Sequence, residues 1–118
     1  MTKEELLESY DWEHAFYEAN QRRDAVGEYP PSSAGFTRED VADILYSDEG
    51  ENDGAPWIGV FRLNDGRFLY VTAGCDYTGW DCQASGSSAV ASTLEQLIRF
   101  GLVDQDRKRF GLTLEETP

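Results

Sequence analysis

Residues 74–82 read GCDYTGWDC and hold the chain's two cysteines, with Asp76, Tyr77, Trp80 and Asp81 between them. Several chemistries could use such a mixture. A structural zinc site takes four Cys or His ligands, commonly in closely spaced pairs. Here the single histidine, His14, lies far away in sequence, and Asp76 or Asp81 would have to complete the set, so no metal is expected. A nucleophilic thiol at Cys75 or Cys82 would need His14 as base and an aspartate to orient it. The neighbouring carboxylates oppose that role, because reactive thiols sit in electropositive surroundings. No nucleophile elbow or cysteine-enzyme signature accompanies the pair. A disulfide closing so short a loop would contribute roughly 2–3 kcal/mol and would not persist in a reducing cytoplasm. What remains for the sulfurs is packing as small apolar groups under a turn. Tyr77 and Trp80 are of the residue types that anchor protein interfaces, and Trp80 equally suits the end of an aromatic sheet face.

A second group of chemistry-bearing residues is the loop SDEGENDG, residues 47–54, with Asp48, Glu49, Glu51 and Asp53. Its alternating acids and Gly54 imitate the start of an EF-hand, but the twelfth position falls on Val60, where a bidentate Glu is required. No cofactor or cation is therefore assigned. A third group is a row of carboxylates near the N-terminus. On a continuous helix Glu4, Glu8, Asp11 and Glu18 line one side, with Ala15 among them. Carboxylates four residues apart on a helix are about 6 Å apart along its axis, close to the separation of successive phosphates on a nucleic-acid strand.

The charge of the whole chain gives these acids weight. In 118 residues, 23 Asp and Glu oppose 10 Lys and Arg, for a net charge of −13. A free-standing nucleic-acid binder is normally basic, so direct contact with DNA or RNA is excluded. Anionic membrane surfaces are disfavoured for the same reason. Basic protein partners are favoured, since opposite fields speed encounter, although acidity also serves solubility alone.

The elements that must position these groups follow from periodicity. Thr2 and Glu5 have capping-box spacing and open a helix to about Arg23. Leu6, Leu7, Tyr10, His14 and Tyr17 share its apolar face, with Trp12 and Phe16 on a flank. Residues 24–35, containing Pro30-Pro31, read as a loop. A second helix is expected from Phe36–Asp40 onward, with Thr37 as N-cap and Val41, Ile44 and Leu45 buried. Residues 57–63 and 67–73 are the strongest strand signals, joined by a two-residue turn at Asp65-Gly66. That turn pairs Leu63 with Phe68 and Phe61 with Tyr70. One face of the hairpin then carries Trp57, Phe61, Leu63, Phe68 and Tyr70, the other Ile58, Val60, Leu69 and Val71. Both faces are apolar, so both require cover. Residues 87–92 suit a third, short strand, and 74–82 a loop at the sheet end. Ser92 and Glu95 suggest another capping box, with a helix to Phe100 ended by Gly101. Asp104 caps a last short helix closed by Gly111, and the tail 112–118 frays. The expected fold is α+β in a single domain over residues 1–118. It has N-terminal helices, a small antiparallel sheet built on the 57–63/67–73 hairpin, and short C-terminal helices.

The stretches WIGVFRLNDGRF and GCDYTGWDCQ resemble those of small uncharacterised bacterial and phage proteins, over residues 50–102. The resemblance implies a prokaryotic or viral setting and carries no activity or cofactor with it. With no apolar run near the roughly 18 residues that span a bilayer and no signal-peptide pattern at the start, a cytoplasmic location is expected, the host cytoplasm if the protein is phage-encoded. The combined expectation is a non-enzymatic acidic binding protein. It would occupy a basic, nucleic-acid-binding surface of a protein partner through Glu4, Glu8, Asp11, Glu18, Asp48, Glu49, Glu51, Asp53, Tyr77 and Trp80. By analogy of size and charge alone, inhibitors of defence nucleases such as anti-CRISPR proteins, and acidic immunity proteins, are nucleic-acid mimics of this kind. The competing expectations are a small enzyme or ligand-binding domain using the 74–82 loop with His14, and a phage accessory or structural subunit.

Overall fold

A computed structural model describes residues 1–25 and 35–111, without the side chains of Ala25, Asp81 and Cys82. Most of the expected 24–35 loop and all of the 112–118 tail thus lie outside the described residues. The elements in order are α1 (Lys3–Glu8), α2 (Tyr10–Asn20), β1 (Arg23–Ala25), β2 (Val41–Asp48), β3 (Trp57–Leu63), β4 (Phe68–Asp76), β5 (Gly79–Ala91), α3 (Leu94–Gln96, continuing as a π-helical turn over Leu97–Gly101) and α4 (Asp104–Arg109). The five strands form one sheet in the order β1-β5-β4-β3-β2. β1 runs parallel to β5 and every other pairing is antiparallel. The α+β class, the N-terminal helices, the central hairpin and the short C-terminal helices are as the sequence indicates.

The N-terminal segment is two helices rather than one. Thr2 and Glu5 form the capping box of α1, each side chain meeting the other's backbone N–H. Ser9 leaves the helical region (φ −78°, ψ 121°), and its hydroxyl accepts the Trp12 N–H to start α2. The break exposes carbonyls that need new donors. Arg38 supplies them, its guanidinium donating to the carbonyls of Leu6, Leu7 and Ser9 at 2.9–3.1 Å. The break also resets the helical phase. On α2 the buried residues are Trp12, Ala15, Phe16 and Ala19, whereas Tyr10 and Tyr17 face solvent. The face expected to be the apolar one is the outer one.

The segment after Thr37 corrects the expected second helix. Arg38–Asp40 is a single 3-10 turn with a capping box between Thr37 and Asp40, and Val41 begins a strand. β2 pairs with β3 through two register shifts, between Val41 and Asp43 and between Ile44 and Tyr46. Each bulge lets neighbouring residues break the period of two. Ile44 packs into one core while Leu45 and Tyr46 both pack into the other. The spacing therefore looks helical, and pairing along the β3 edge decides the conformation.

The central hairpin forms as expected but one residue out of register. The Leu63 N–H donates to Arg67 O at 2.8 Å and the Gly66 N–H to Leu63 O at 3.0 Å. Asn64–Gly66 is thus a three-residue loop, with Gly66 at φ 93°, the form that ends in a left-handed glycine. Arg62 pairs with Phe68 and Phe61 with Leu69. A slip of one exchanges the faces of a strand. Leu69 and Val71 join Trp57, Phe61 and Leu63 under α1 and α2, while Phe68 and Tyr70 join Ile58 and Val60 under α3 and α4. Both faces are covered, as their apolar character requires.

Two further boundaries shift. The 74–82 segment is a continuation of β4 and β5 around a tight turn, with Asp76 paired to Gly79. The strand expected at 87–92 is the far half of β5. Thr93, not Ser92, caps α3, its hydroxyl accepting the Gln96 N–H. Val103 occupies the N-cap position of α4, and Asp104 instead pairs with Arg107 at 2.9 Å. Among the described residues no helix is long and apolar enough to cross a membrane.

Candidate functional site: an acidic end of the sheet

The register places one end of the sheet precisely in chain terms. Asp48 pairs with Ile58, Trp57 with Ala73, and Asp76 with Gly79. The β2–β3 loop and the β4–β5 turn therefore leave the sheet at the same end, although they are far apart in sequence. The loop is fastened to the turn's strand. The Asp53 N–H donates to Cys75 O at 2.9 Å, and the Cys75 thiol donates to Asn52 Oδ1 at 3.1 Å. Within the loop, the Glu51 N–H donates to Ala55 O at 2.8 Å and the Gly54 N–H to Glu51 O at 3.2 Å. Asp53 adopts φ 55°, a left-handed conformation that Asp and Asn tolerate better than most residues. In the turn, Asp76 Oδ1 accepts both the backbone N–H and the hydroxyl of Thr78. Tyr77 stands at the tip, 77% exposed.

α2 adds a third contribution. Asp11 Oδ1 accepts the Trp80 indole N–H at 3.1 Å. Trp80 is buried, tilted against Trp57 at 4.9 Å and parallel to His14 at 5.8 Å. It is the buried end of the aromatic sheet face rather than an exposed anchor. Asp11, Glu51, Asp53 and Asp76 thus belong to one end of the molecule, with Glu49 on the same loop. Among the described residues, Glu49, Glu51, Asp53 and Asp76 have no Lys or Arg partner, while Asp48 pairs with Arg109 at 3.0 Å.

The N-terminal row does not survive as a row. The break at Ser9 separates Glu4 and Glu8 from Asp11 and Glu18. Lys3 reaches Glu39 O, and Glu39 and Asp40 carbonyls accept from Asn64. The start of α1, and Glu4 with it, therefore lies at the opposite sheet end, by the β3–β4 loop. Glu8 is exposed at the α1–α2 junction, and Glu18 is half-buried where α2 crosses β5 at Gly86. The four-residue spacing survives only between Glu4 and Glu8 within α1 and does not extend to Asp11 and Glu18. Asp76 and Tyr10, absent from the expected contact set, are brought to or beside the acidic end.

Cys75 is buried, and burial first, then the Asp11 and Asp76 carboxylates, push its thiol pKa up. The hydrogen bond to Asn52 holds the proton on sulfur. His14 lies against Trp80 and Tyr10. This is the reverse of what an activated thiol requires. Among the described residues no group of three or more His, Cys, Asp or Glu is placed to hold a metal ion.

A separate cleft opens on the other face of the sheet. Under α3 that face is apolar, but further along it becomes Thr72, Gly74, Ser85 and Ser87, with the Thr72 and Ser87 hydroxyls 3.3 Å apart. Asp106, 5% exposed, lines the cleft and accepts the Tyr70 hydroxyl, with Arg22 and Arg109 at the rim. Comparison with protein families, curated proteins and solved structures finds no match to this chain.

Proposed function

We propose that the protein is an acidic binding module that seats a basic surface of a protein partner against the end of its sheet. The single observation carrying this reading is the convergence of the 49–54 loop and the 76–79 turn, whose carboxylates lack basic partners within the described chain. Carboxylates held at fixed spacing without internal counter-ions can accept charge-assisted hydrogen bonds from Lys and Arg. The exposed Tyr77 between them is a suitable interface side chain. A nucleic-acid-binding surface presents a dense array of Lys and Arg, which makes it the favoured class of target. In this reading the residues at the interface are Glu49, Glu51, Asp53, Asp76 and Tyr77, with Asp11 and Trp80 behind them, while Glu4 and Glu8 are spectators.

The test is a pair of charge-matched triple variants. Glu51→Gln/Asp53→Asn/Asp76→Asn keeps the turn geometry, because Asn accepts the Thr78 N–H as Asp does and tolerates the left-handed position 53. Glu4→Gln/Glu8→Gln/Glu39→Gln removes the same charge elsewhere. Basic proteins captured from lysate on the wild-type chain, and released by rising salt, are expected to bind the first variant roughly 3- to 100-fold more weakly, from about 0.2–1 kcal/mol per exposed pair. The second variant is expected to behave as wild type. Equal loss in both would mean that net charge, not this surface, does the binding.

A further inference from the structure

The outer face of α2 leaves something for a partner to use. Tyr10 and Tyr17, 61% and 62% exposed, flank His14 on this face. Neither tyrosine contributes to either core. The Tyr10 and His14 rings are 4.5 Å apart, and His14 in turn lies parallel to Trp80 at 5.8 Å, with an interplanar angle of 11°. The hydrogen bond from the Trp80 indole to Asp11 fixes the plane of that ring. Beside this stack runs a groove lined by Glu13, His14, Tyr17, Glu18 and Trp80. Glu13 makes only a long contact with Arg38, at 3.8 Å, and Glu18 forms no ion pair among the described residues.

Aromatic faces bordered by carboxylates attract organic cations, through the ring quadrupole and the opposite charge together. A guanidinium suits such a groove better than an ammonium. It is flat, stacks on a ring, and presents a fork of donors to a carboxylate. We infer that this groove seats an arginine side chain of the basic partner, stacked along Tyr17 and the His14–Trp80 pair and hydrogen-bonded to Glu18 or Glu13. The inference rests on the binding reading above, since the groove joins the acidic end through the Trp80–Asp11 link.

The experiment uses the full chain, hexa-arginine and hexa-lysine as probes, and the Trp80 indole N–H resonance, which senses both the groove and Asp11, as the readout at low salt. Hexa-arginine is expected to shift that resonance saturably, and hexa-lysine to do so several-fold more weakly. Tyr17→Ala and Glu18→Gln are each expected to weaken hexa-arginine about two- to fivefold, while Tyr17→Phe keeps it. Both positions lie outside the buried core, and an unchanged thermal midpoint verifies folding. If Tyr17→Ala and Glu18→Gln leave binding intact while the Glu51/Asp53/Asp76 triple variant abolishes it, the groove assignment falls and the acidic-end reading stands. If the triple variant binds as wild type while Tyr17→Ala does not, the groove stands and the acidic-end reading falls. Equal response to both peptides overturns the arginine assignment, and no response to either overturns both readings.

Discussion

Cys75 is held where a thiol is a poor nucleophile. It is buried, hydrogen-bonded to Asn52, and faces the fields of Asp11 and Asp76. With Cys82→Ser removing the second thiol, alkylation of Cys75 by iodoacetamide is expected to be slow at neutral pH, with a pH midpoint above that of a free cysteine. A midpoint below that value would restore the case for thiol chemistry. The same shift has a stability consequence. A thiol that keeps its proton more tightly when folded contributes stability below its unfolded pKa and loses it as pH rises through the folded value. The loss is therefore alkaline, and Tyr70, whose hydroxyl is pushed up by burial and then by Asp106, acts in the same direction. Tyr70→Phe leaves the Asp106 carboxylate, 5% exposed, without that donor. It is expected to cost about 1–3 kcal/mol in denaturant unfolding, and a neutral result would show that Asp106 finds water or another donor. Residue types made the reluctance of Cys75 legible from the flanking aspartates Asp76 and Asp81, of which Asp76 acts on the sulfur in the structure. The second carboxylate, Asp11, and the Asn52 acceptor were not legible, because both reach the sulfur through tertiary packing.

α2 lies so close to β5 that a Cβ on Gly86 would sit 2.8 Å from the backbone N of Ala19 and the carbonyl carbon of Glu18. Ser88 fastens the same crossing, its hydroxyl donating to Ala19 O at 3.0 Å. Gly86→Ala is thus expected to push α2 off the sheet, costing about 1–3 kcal/mol and disturbing the His14–Trp80 stack in near-UV circular dichroism. On the adjacent strand a Cβ on Gly74 would only touch Pro56 at 3.9 Å, so Gly74→Ala is expected to stay within about 0.5 kcal/mol. Equal effects at the two positions would contradict the close approach. The sequence marked the hairpin, the Thr2 cap and the Gly111 stop, since these are local chemistry, but Gly101 lies inside the last helical turn, which Leu102 caps instead. It misread the stretch from 41 to the start of the acidic loop at 47 as a helix, because two bulges hide the strand period. It chose the wrong face of α2 because a serine in mid-segment restarts the helix.

At the scale of the whole molecule, those two errors concealed the candidate site. Once 41–48 is a strand, the connections 49–56 and 77–78 must leave the sheet at one end, and the acidic loop meets the cysteine turn. Read as a helix that runs into a loop at 47, the same residues leave the two acidic stretches unrelated. The net charge of −13 was legible at once, but its distribution depends on strand order, which composition does not contain. Carboxylates at this end that lack basic partners would make encounter with a basic partner steerable. Binding through this end should weaken with salt, since exposed charges are screened beyond about 10 Å at 0.1 M ionic strength. The most direct measurement of where a partner sits is amide hydrogen exchange of the chain with and without the most strongly captured basic protein. The expected result is slowed exchange at residues 50–54 and 76–80, with the start of α1 unchanged. Slowed exchange instead at 72–74, 85–87 and α4, with both acidic tips unaffected, would place the partner in the opposite cleft and contradict the account.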